Sequence, residues 1–277
     1  MQNINEKINK VLLIRENLEK DMGWLKKGKK KFPARNAYGI AVAGGKKGVY
    51  FGKNVVVEPN VFFDASEGEI VIDDGTKIKA GSILRGPLYI GLHSTVNSLA
   101  EISSSRIGDH CKLGGEVDHV FFQSYSNKQH YGYLGWSYIG SWVNIGGGTS
   151  IATLKNTYTN VKVNNTDTGS QFFGCIMGDY VKTALNTSIF CGKVIGESAH
   201  LYGTVTEDVP AFASHIRPGV FYEIPLEIAE KIQIAMALRR NVKFTEKDKK
   251  DFEKLFKETA KDRKLAKVKK GKLTFSA

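Results

Sequence analysis

The stretch from Gly114 to Thr149 concentrates the side chains that can do chemistry. It reads GGEVDHVFFQSYSNKQHYGYLG and, after Trp136 and Ser137, YIGSWVNIGGGT. Polar groups crowd it: Glu116, Asp118, His119, Asn127, Lys128, His130, Tyr133 and Asn144. An imidazole such as that of His130 titrates near neutrality, at about 6.5 when unperturbed, which suits it to taking and returning a proton. The triplet Gly146-Gly147-Gly148 lets backbone approach a ligand closely. Metal chemistry is not indicated. The three cysteines, Cys111, Cys175 and Cys191, lack CxxC spacing, and the six histidines contain no H-x4-H pair. The Gly44–Gly48 stretch with its two lysines lacks the GxxxxGK[ST] spacing of a phosphate loop and is read as a turn.

Something regular must position these groups, and the sequence supplies it as a period of six. Val49, Val55 and Val61 start a register that Ile72, Ile78, Leu84, Ile90, Val96 and Ile102 hold without a slip. Ile107 and Leu113 resume it one residue early, Ile139, Ile145 and Ile151 form another set, and Ile189, Ile195 and Leu201 a third. Neither a helix (period 3.6) nor a half-buried strand (period 2) repeats this way. Short strands separated by corners do, each aliphatic pointing into a stacked core and a following small residue, often glycine, easing the corner. The expected fold is mainly β, a solenoid over 49–215 interrupted by inserted loops at 118–136 and 153–175, where solenoids tend to carry their binding residues.

Helices are expected on both sides of it. Ile4, Ile8, Leu12 and Leu18 describe one amphipathic helix within an N-terminal segment 1–48, followed by a basic connector. In the C-terminal segment 216–277, Pro225 opens a helix whose apolar positions are Ile228, Ile232, Ala235 and Met236. Thr245 and Asp248 read as the capping box of a second helix, with Phe252, Leu255 and Phe256 on its apolar face. Covering the open solenoid ends or packing between subunits would be the plain role of these helices.

Composition narrows the partners. The chain of 277 residues carries 40 Lys+Arg against 28 Asp+Glu, a net charge of +12. The excess lies at the two ends, and residues 54–215 are net acidic. No nucleic-acid motif accompanies the lysines, which argues against sequence-specific nucleic-acid binding. No apolar run is long enough to cross a membrane, and charges punctuate the first twenty residues where a secretory signal needs an apolar stretch. A cytoplasmic location is the expectation.

The segments GGEV, YSNKQHYGYLG, YIGSWVNIGGGT, LKNTY and GDYVKTALNT, together with the hexapeptide period, resemble the C-terminal domain of the bifunctional UDP-N-acetylglucosamine pyrophosphorylase/glucosamine-1-phosphate acetyltransferase (GlmU-like) family, closest to a branch described as sugar-phosphate nucleotidyltransferases. The resemblance covers about residues 55–260. It implies a left-handed parallel β-helix, assembly as a homotrimer, and acyl transfer from acetyl-CoA to an amino-sugar phosphate or nucleotide sugar. It places the general base at His130, with Tyr133 and Asn144 beside it. Substrate contacts fall on Arg85, Glu116, Asn127 and Lys128, and the acetyl-CoA site on Gly146, Gly147, Gly148 and Lys182. No metal is implied.

Three departures qualify this expectation. Where acetylating members have a lysine pair shortly after the glutamate, this chain has Asp118-His119, and where they have Asn-Tyr after the glycine-rich corner it has Thr153-Leu154. The N-terminal nucleotidyltransferase domain of the family has no room before the repeats. A non-catalytic oligomerisation or regulatory module serving a nucleotidyltransferase partner is the alternative expectation.

Overall fold

The computed structural model describes residues 3–32, 39–44 and 48–271. The turn expected around Gly44–Gly48 falls largely on residues 45–47, outside the described residues. Its centre is the parallel β-helix that the period predicts. Each coil lays down three short strands, and each strand pairs with its counterpart one coil along. On the first face Phe62–Asp64, Ile83–Arg85, Glu101–Ser103 and residues 116–118 and 133–135 align in register. The second face runs through Val49–Phe51, Ile70–Ile72, Leu88–Ile90 and Arg106–Ile107 to Lys193–Ile195. The third runs from Val56–Val57 through Lys77–Ile78, Thr95–Val96, Lys112–Leu113 and Asn127–Lys128. It resumes at Lys182–Thr183 and ends in Ala213–Arg217.

The register turns the sequence period into continuous rows of buried side chains. Ile72, Ile90, Ile107, Phe122, Ile139, Met177 and Ile195 stack on the second face, each at 0–1% exposure. The small residue after the aliphatic has a different purpose from the one expected. A Cβ on Gly196 would stand 2.3 Å from Ala211 N, and one on Gly108 2.6 Å from Ser124 N, so glycine there admits the backbone of the next coil. The corner itself is made by a later residue in the left-handed region, such as His93, His110, Tyr125 and Trp142 (φ 52°, 56°, 62° and 58°).

Residues 118–136 are not an inserted loop. Glu116–Phe122, Asn127–Lys128 and Tyr133–Ile139 are three strands of unbroken coil, with Glu116 opposite Tyr133. The period was lost there because Lys128 occupies the core row of Ile78, Val96 and Leu113. The stretch after Thr153 does leave the coil, with a small hairpin of Lys162–Val163 and Thr166–Asp167, and the coil has resumed by the strand Cys175–Met177. The solenoid also reaches beyond 49–215 at both ends. Ala41–Ala43 pairs with Phe62–Asp64, and Val220–Glu223 adds an antiparallel strand to Ala213–Arg217.

The single N-terminal helix expected is two, α1 (Ile4–Leu12) and α2 (Ile14–Leu25), broken at Leu13. They lie on the second face rather than over an open end. Ile14, Leu18, Met22 and Leu25 pack on Val71, Tyr50, Tyr89 and Phe121, and α1 packs with the insertion. Salt bridges Arg106–Asp21 and Lys26–Glu69 flank the contact. After Pro225, α3 (Leu226–Leu238) runs to Arg239 and buries Ala229, Gln233 and Ala237, not the larger Ile228, Ile232 and Met236. Helix α4 (Glu246–Glu258) has the expected Thr245/Asp248 capping box, and its Phe252 packs on Phe212. A short α5 (Ala260–Leu265) follows.

Two substitutions separate core from corner. Leu84→Ala, in a fully buried row, should lower stability by about 2–5 kcal/mol in chemical denaturation. Leu99→Gly, at a corner with φ 60° and a side chain 80% exposed, should leave stability unchanged or raise it by up to about 1 kcal/mol.

Candidate functional site: a histidine corner beside a cationic cleft

The third face ends at the corner that carries His130, and the first face begins just after it. His130 is exposed. Its ring makes no hydrogen bond among the described residues, and Gly147 of the next coil lies against it, where a Cβ would sit 3.3 Å from His130 Cβ. The three glycines are not equivalent. Gly146 N–H donates to Thr183 Oγ1 (2.9 Å) and Gly148 N–H to the Tyr131 carbonyl (3.0 Å). Gly147 N–H is left without an acceptor among the described residues, so the donor expected from the triplet narrows to this one group.

Lys128 does not face a substrate. Its side chain points inward at 1% exposure, and its Nζ donates to the carbonyls of Gly114 (2.8 Å), His130 (3.1 Å) and Gly132 (2.7 Å). Burial pushes its pKa down to about 8. The ammonium thereby bolts the His130 corner to the coil before it.

Outward from the same face runs a polar column in register: Lys112, Asn127, Asn144, Lys182 and His200. Asn127 Nδ2 donates to Asn144 Oδ1 (3.4 Å). Helix α3 lies across this column and encloses a cleft of about 360 Å³. Lys112, Asn127, Gln129, Asn144 and Lys182 form its floor, and Ile232, Ala235, Met236, Arg239 and Arg240 its roof. The apolar residues of α3 that do not enter the core therefore line this cleft. Four cations and no carboxylate border it. Burial, then Arg240 and Arg239, hold the Lys112 ammonium below its usual range, and burial pushes Lys182 down to about 8. Such an uncompensated set suits a polyanion that also has an apolar part. Gln129 lines the cleft and precedes His130, so the cleft lies beside the histidine corner.

Of the expected residues, the structure thus gathers His130, Gly147, Asn127, Asn144 and Lys182 at one end of the third face. Glu116 and Tyr133 lie around the corner on the first face, opposite each other in register. Burial holds the Tyr133 phenol above its ordinary range while its hydroxyl bonds Thr153, one of the two residues in the Thr153-Leu154 departure. Arg85 is farther along that face and pairs with Glu101. Gln129, Lys112, Arg239 and Arg240 escaped the sequence reading. The Arg pair stands in the C-terminal tail, and only the path of α3 brings it to the cleft. Among the described residues no group of three His, Cys, Asp or Glu side chains is placed to hold a metal ion, and no helix is long and apolar enough to cross a membrane.

No protein-family model matches the chain. The bifunctional protein GlmU of Nostoc sp. is 30% identical over 161 residues, 57% of this chain and 28% of that protein. The bifunctional sugar-1-phosphate nucleotidylyltransferase/acetyltransferase of Sulfurisphaera tokodaii is 33% identical over 162 residues, 55% of this chain and 40% of that protein. The chain is similar to the GlmU proteins. It spans well under half the length of these curated relatives. Among solved structures, an Arabidopsis UDP-N-acetylglucosamine acyltransferase aligns at 16% identity and a TM-score of 0.40, covering 82% of this chain and 90% of that one. A likeness that distant transfers no residue role.

The column also sets a pH dependence. His200 is pushed down to about 4 by burial and then by Lys182. An unfolded histidine titrates near 6.5, so the unfolded state binds the proton first and stability falls as pH drops from about 6.5 toward 4. His200→Asn should flatten that part of a stability–pH curve by on the order of 2 kcal/mol. Lys128→Met, which takes the Nζ donor from three carbonyls, one buried and two partly buried, should cost about 3 kcal/mol in denaturation.

Proposed function

We propose that the chain is an acyl-CoA-dependent acyltransferase acting on an amino-bearing sugar derivative. The cation-only cleft beside the His130 corner is the observation that carries this reading, and the similarity to the GlmU proteins supports it. Acyl-CoA joins a phosphate-rich nucleotide to an apolar pantetheine arm. Lys112, Lys182, Arg239 and Arg240 would meet the phosphates, while Ile232, Ala235 and Met236 would cover the arm. The thioester then reaches the corner.

There the acceptor amine attacks the thioester carbonyl. His130 takes the proton that the nitrogen loses as the N–C bond forms, and Gly147 N–H donates to the oxyanion. Collapse breaks the C–S bond, and the imidazolium returns the proton to the departing thiolate. The products are the amide and free CoA. Asn144 and Tyr133 flank this centre from the two faces. Assembly as a homotrimer, with a neighbouring prism completing the exposed side of His130, and a cytoplasmic setting belong to the same proposal.

Purified chain mixed with acetyl-CoA and a panel of amino sugars, amino-sugar phosphates and nucleotide amino sugars should release thiol. His130→Ala should reduce kcat by about 10²–10⁴, and Arg239→Ala/Arg240→Ala should raise KM for acetyl-CoA by about tenfold or more with a smaller change in kcat. Absence of release with every acceptor would overturn the catalytic reading in favour of a binding module.

A further inference from the structure

The first face carries a charge pattern that the transfer chemistry leaves unused. Two columns of outward residues run along it. Glu101, Glu116 and Tyr133 stand next to the His130 corner, and Arg85, Ser103 and Asp118 stand two residues farther along their strands. At about 3.3 Å per residue the columns are some 6–7 Å apart, roughly one sugar ring. Among the described strands of this face Arg85 is the one cation, and Glu101 pairs with it. Glu116 and Asp118 have no lysine or arginine bonded to them among the described residues; Arg15, whose charge reaches Asp118, is itself paired with Glu67 (3.0 Å).

At the far edge lies a built hydrogen-bonding group. Asp118 Oδ1 accepts from Ser103 Oγ (2.7 Å) and contacts His119 Nδ1 (2.8 Å). Burial works to raise the Asp118 carboxyl, but the His119 bond and charge, then Ser103, overcome it and hold the group below its usual range. A carboxylate only accepts, so the shared proton sits on Nδ1 and Nε2 is the ring's other hydrogen-bonding atom. The imidazole is clamped as well as polarised. It lies flat on Trp136, with centroids 4.1 Å apart and planes within 4°, and Trp136 in turn stacks on Phe172 at 5.8 Å. The His119 side chain keeps 16% exposure, so the fixed ring still has an edge at the surface.

We propose that the Asp118–His119 pair selects the acceptor: an amino sugar lies along the first face with its amine at the His130 corner and, at its far end, an unphosphorylated hydroxyl that hydrogen-bonds to His119 Nε2. The inference rests on the acyl-transfer reading and narrows its substrate class. The carboxylates of this face attract the amine as its ammonium, which gives its extra proton to solvent before the neutral amine attacks. A phosphate monoester at the same place meets Asp118 and Glu116 with no unpaired cation to hold it, and unpaired desolvated charge is what makes discrimination steep. His119 is here a specificity residue, and His130 keeps the proton transfer.

The test compares glucosamine and galactosamine with their 1- and 6-phosphates, using full-length protein and acetyl-CoA. The wild type should favour the unphosphorylated sugars by at least tenfold in kcat/KM. His119→Gln should raise KM for them severalfold with kcat little changed, and Asp118→Asn/His119→Lys should narrow or invert the preference. Thermal melts of both variants check folding. Equal or better use of the phosphates by the wild type, or a preference unmoved in folded variants, overturns the proposal. If no sugar is acetylated, the transfer reading fails separately, and calorimetric titration of the same sugars in the presence of CoA reads the face directly. Tighter binding of the unphosphorylated sugars then upholds the selection, and equal, reversed or absent binding overturns it.

Discussion

Apart from the one that carries the 153–175 insertion, each coil of this chain has to turn three times within about twenty residues or fewer and return in register with the coil before. The turn is made by a residue in the left-handed backbone region, and many of these residues are not glycine; Leu99, His119, Tyr125, Trp136 and Tyr180 are among them. Each costs about 1 kcal/mol or more relative to an ordinary conformation. Stacking helps to offset the cost. Because corners superimpose from coil to coil, the rings of His93, His110, Tyr125 and Trp142 pile up with centroids 5.2, 4.7 and 4.4 Å apart. The same superposition lines up the core rows, the cleft floor and the acidic face. Everything that resembles a site here is a column, one residue from each of several coils.

Columns explain what was legible. A core row repeats the same residue class at a fixed interval, so Ile72 through Ile102 could be read as a solenoid without any other information. An outward column repeats an interval but not a class: Lys112, Asn127, Asn144, Lys182 and His200 share nothing except position. The register that joins them is set by coil lengths that vary, and these emerge only with the folded backbone. Lys128 shows the converse failure. Its charge suggested a surface contact, yet strand alternation turns it into the core, where three carbonyls take its three donors. Helix α3 misled in a related way. Its larger apolar residues signalled a core face, while small Ala229 and Ala237 are what allow the helix to approach the solenoid closely, leaving Ile232 and Met236 over the cleft.

The two faces that meet at His130 have opposite electrostatic character. On one side four cations under α3 favour anionic ligands, and on the other Glu101, Glu116 and Asp118 favour cationic or hydroxylated ones. A reaction between a polyanionic donor and an amine is well served by such a division, since each reactant is drawn to its own face and the two meet at the edge. His130 is the imidazole at that edge, and its ring makes no competing hydrogen bond among the described residues. Gly147 supplies its neighbouring donor because the flanking glycines have spent theirs on holding the coil.

Most contacts in this fold join one coil to the next, a few tens of residues apart at most. Helix α1 is different. Ile8 and Val11 share a buried cluster with Tyr138, Val161, Val163, Phe173 and Ile176, so the first helix closes on coils formed by the middle of the chain. During synthesis, then, the leading residues emerge well before their landing site exists. The early coils can wind as they appear, but the helix must wait for the 153–175 insertion before its apolar side is covered. Once docked, it bridges several coils at once and makes their opening a joint event rather than a succession of independent ones.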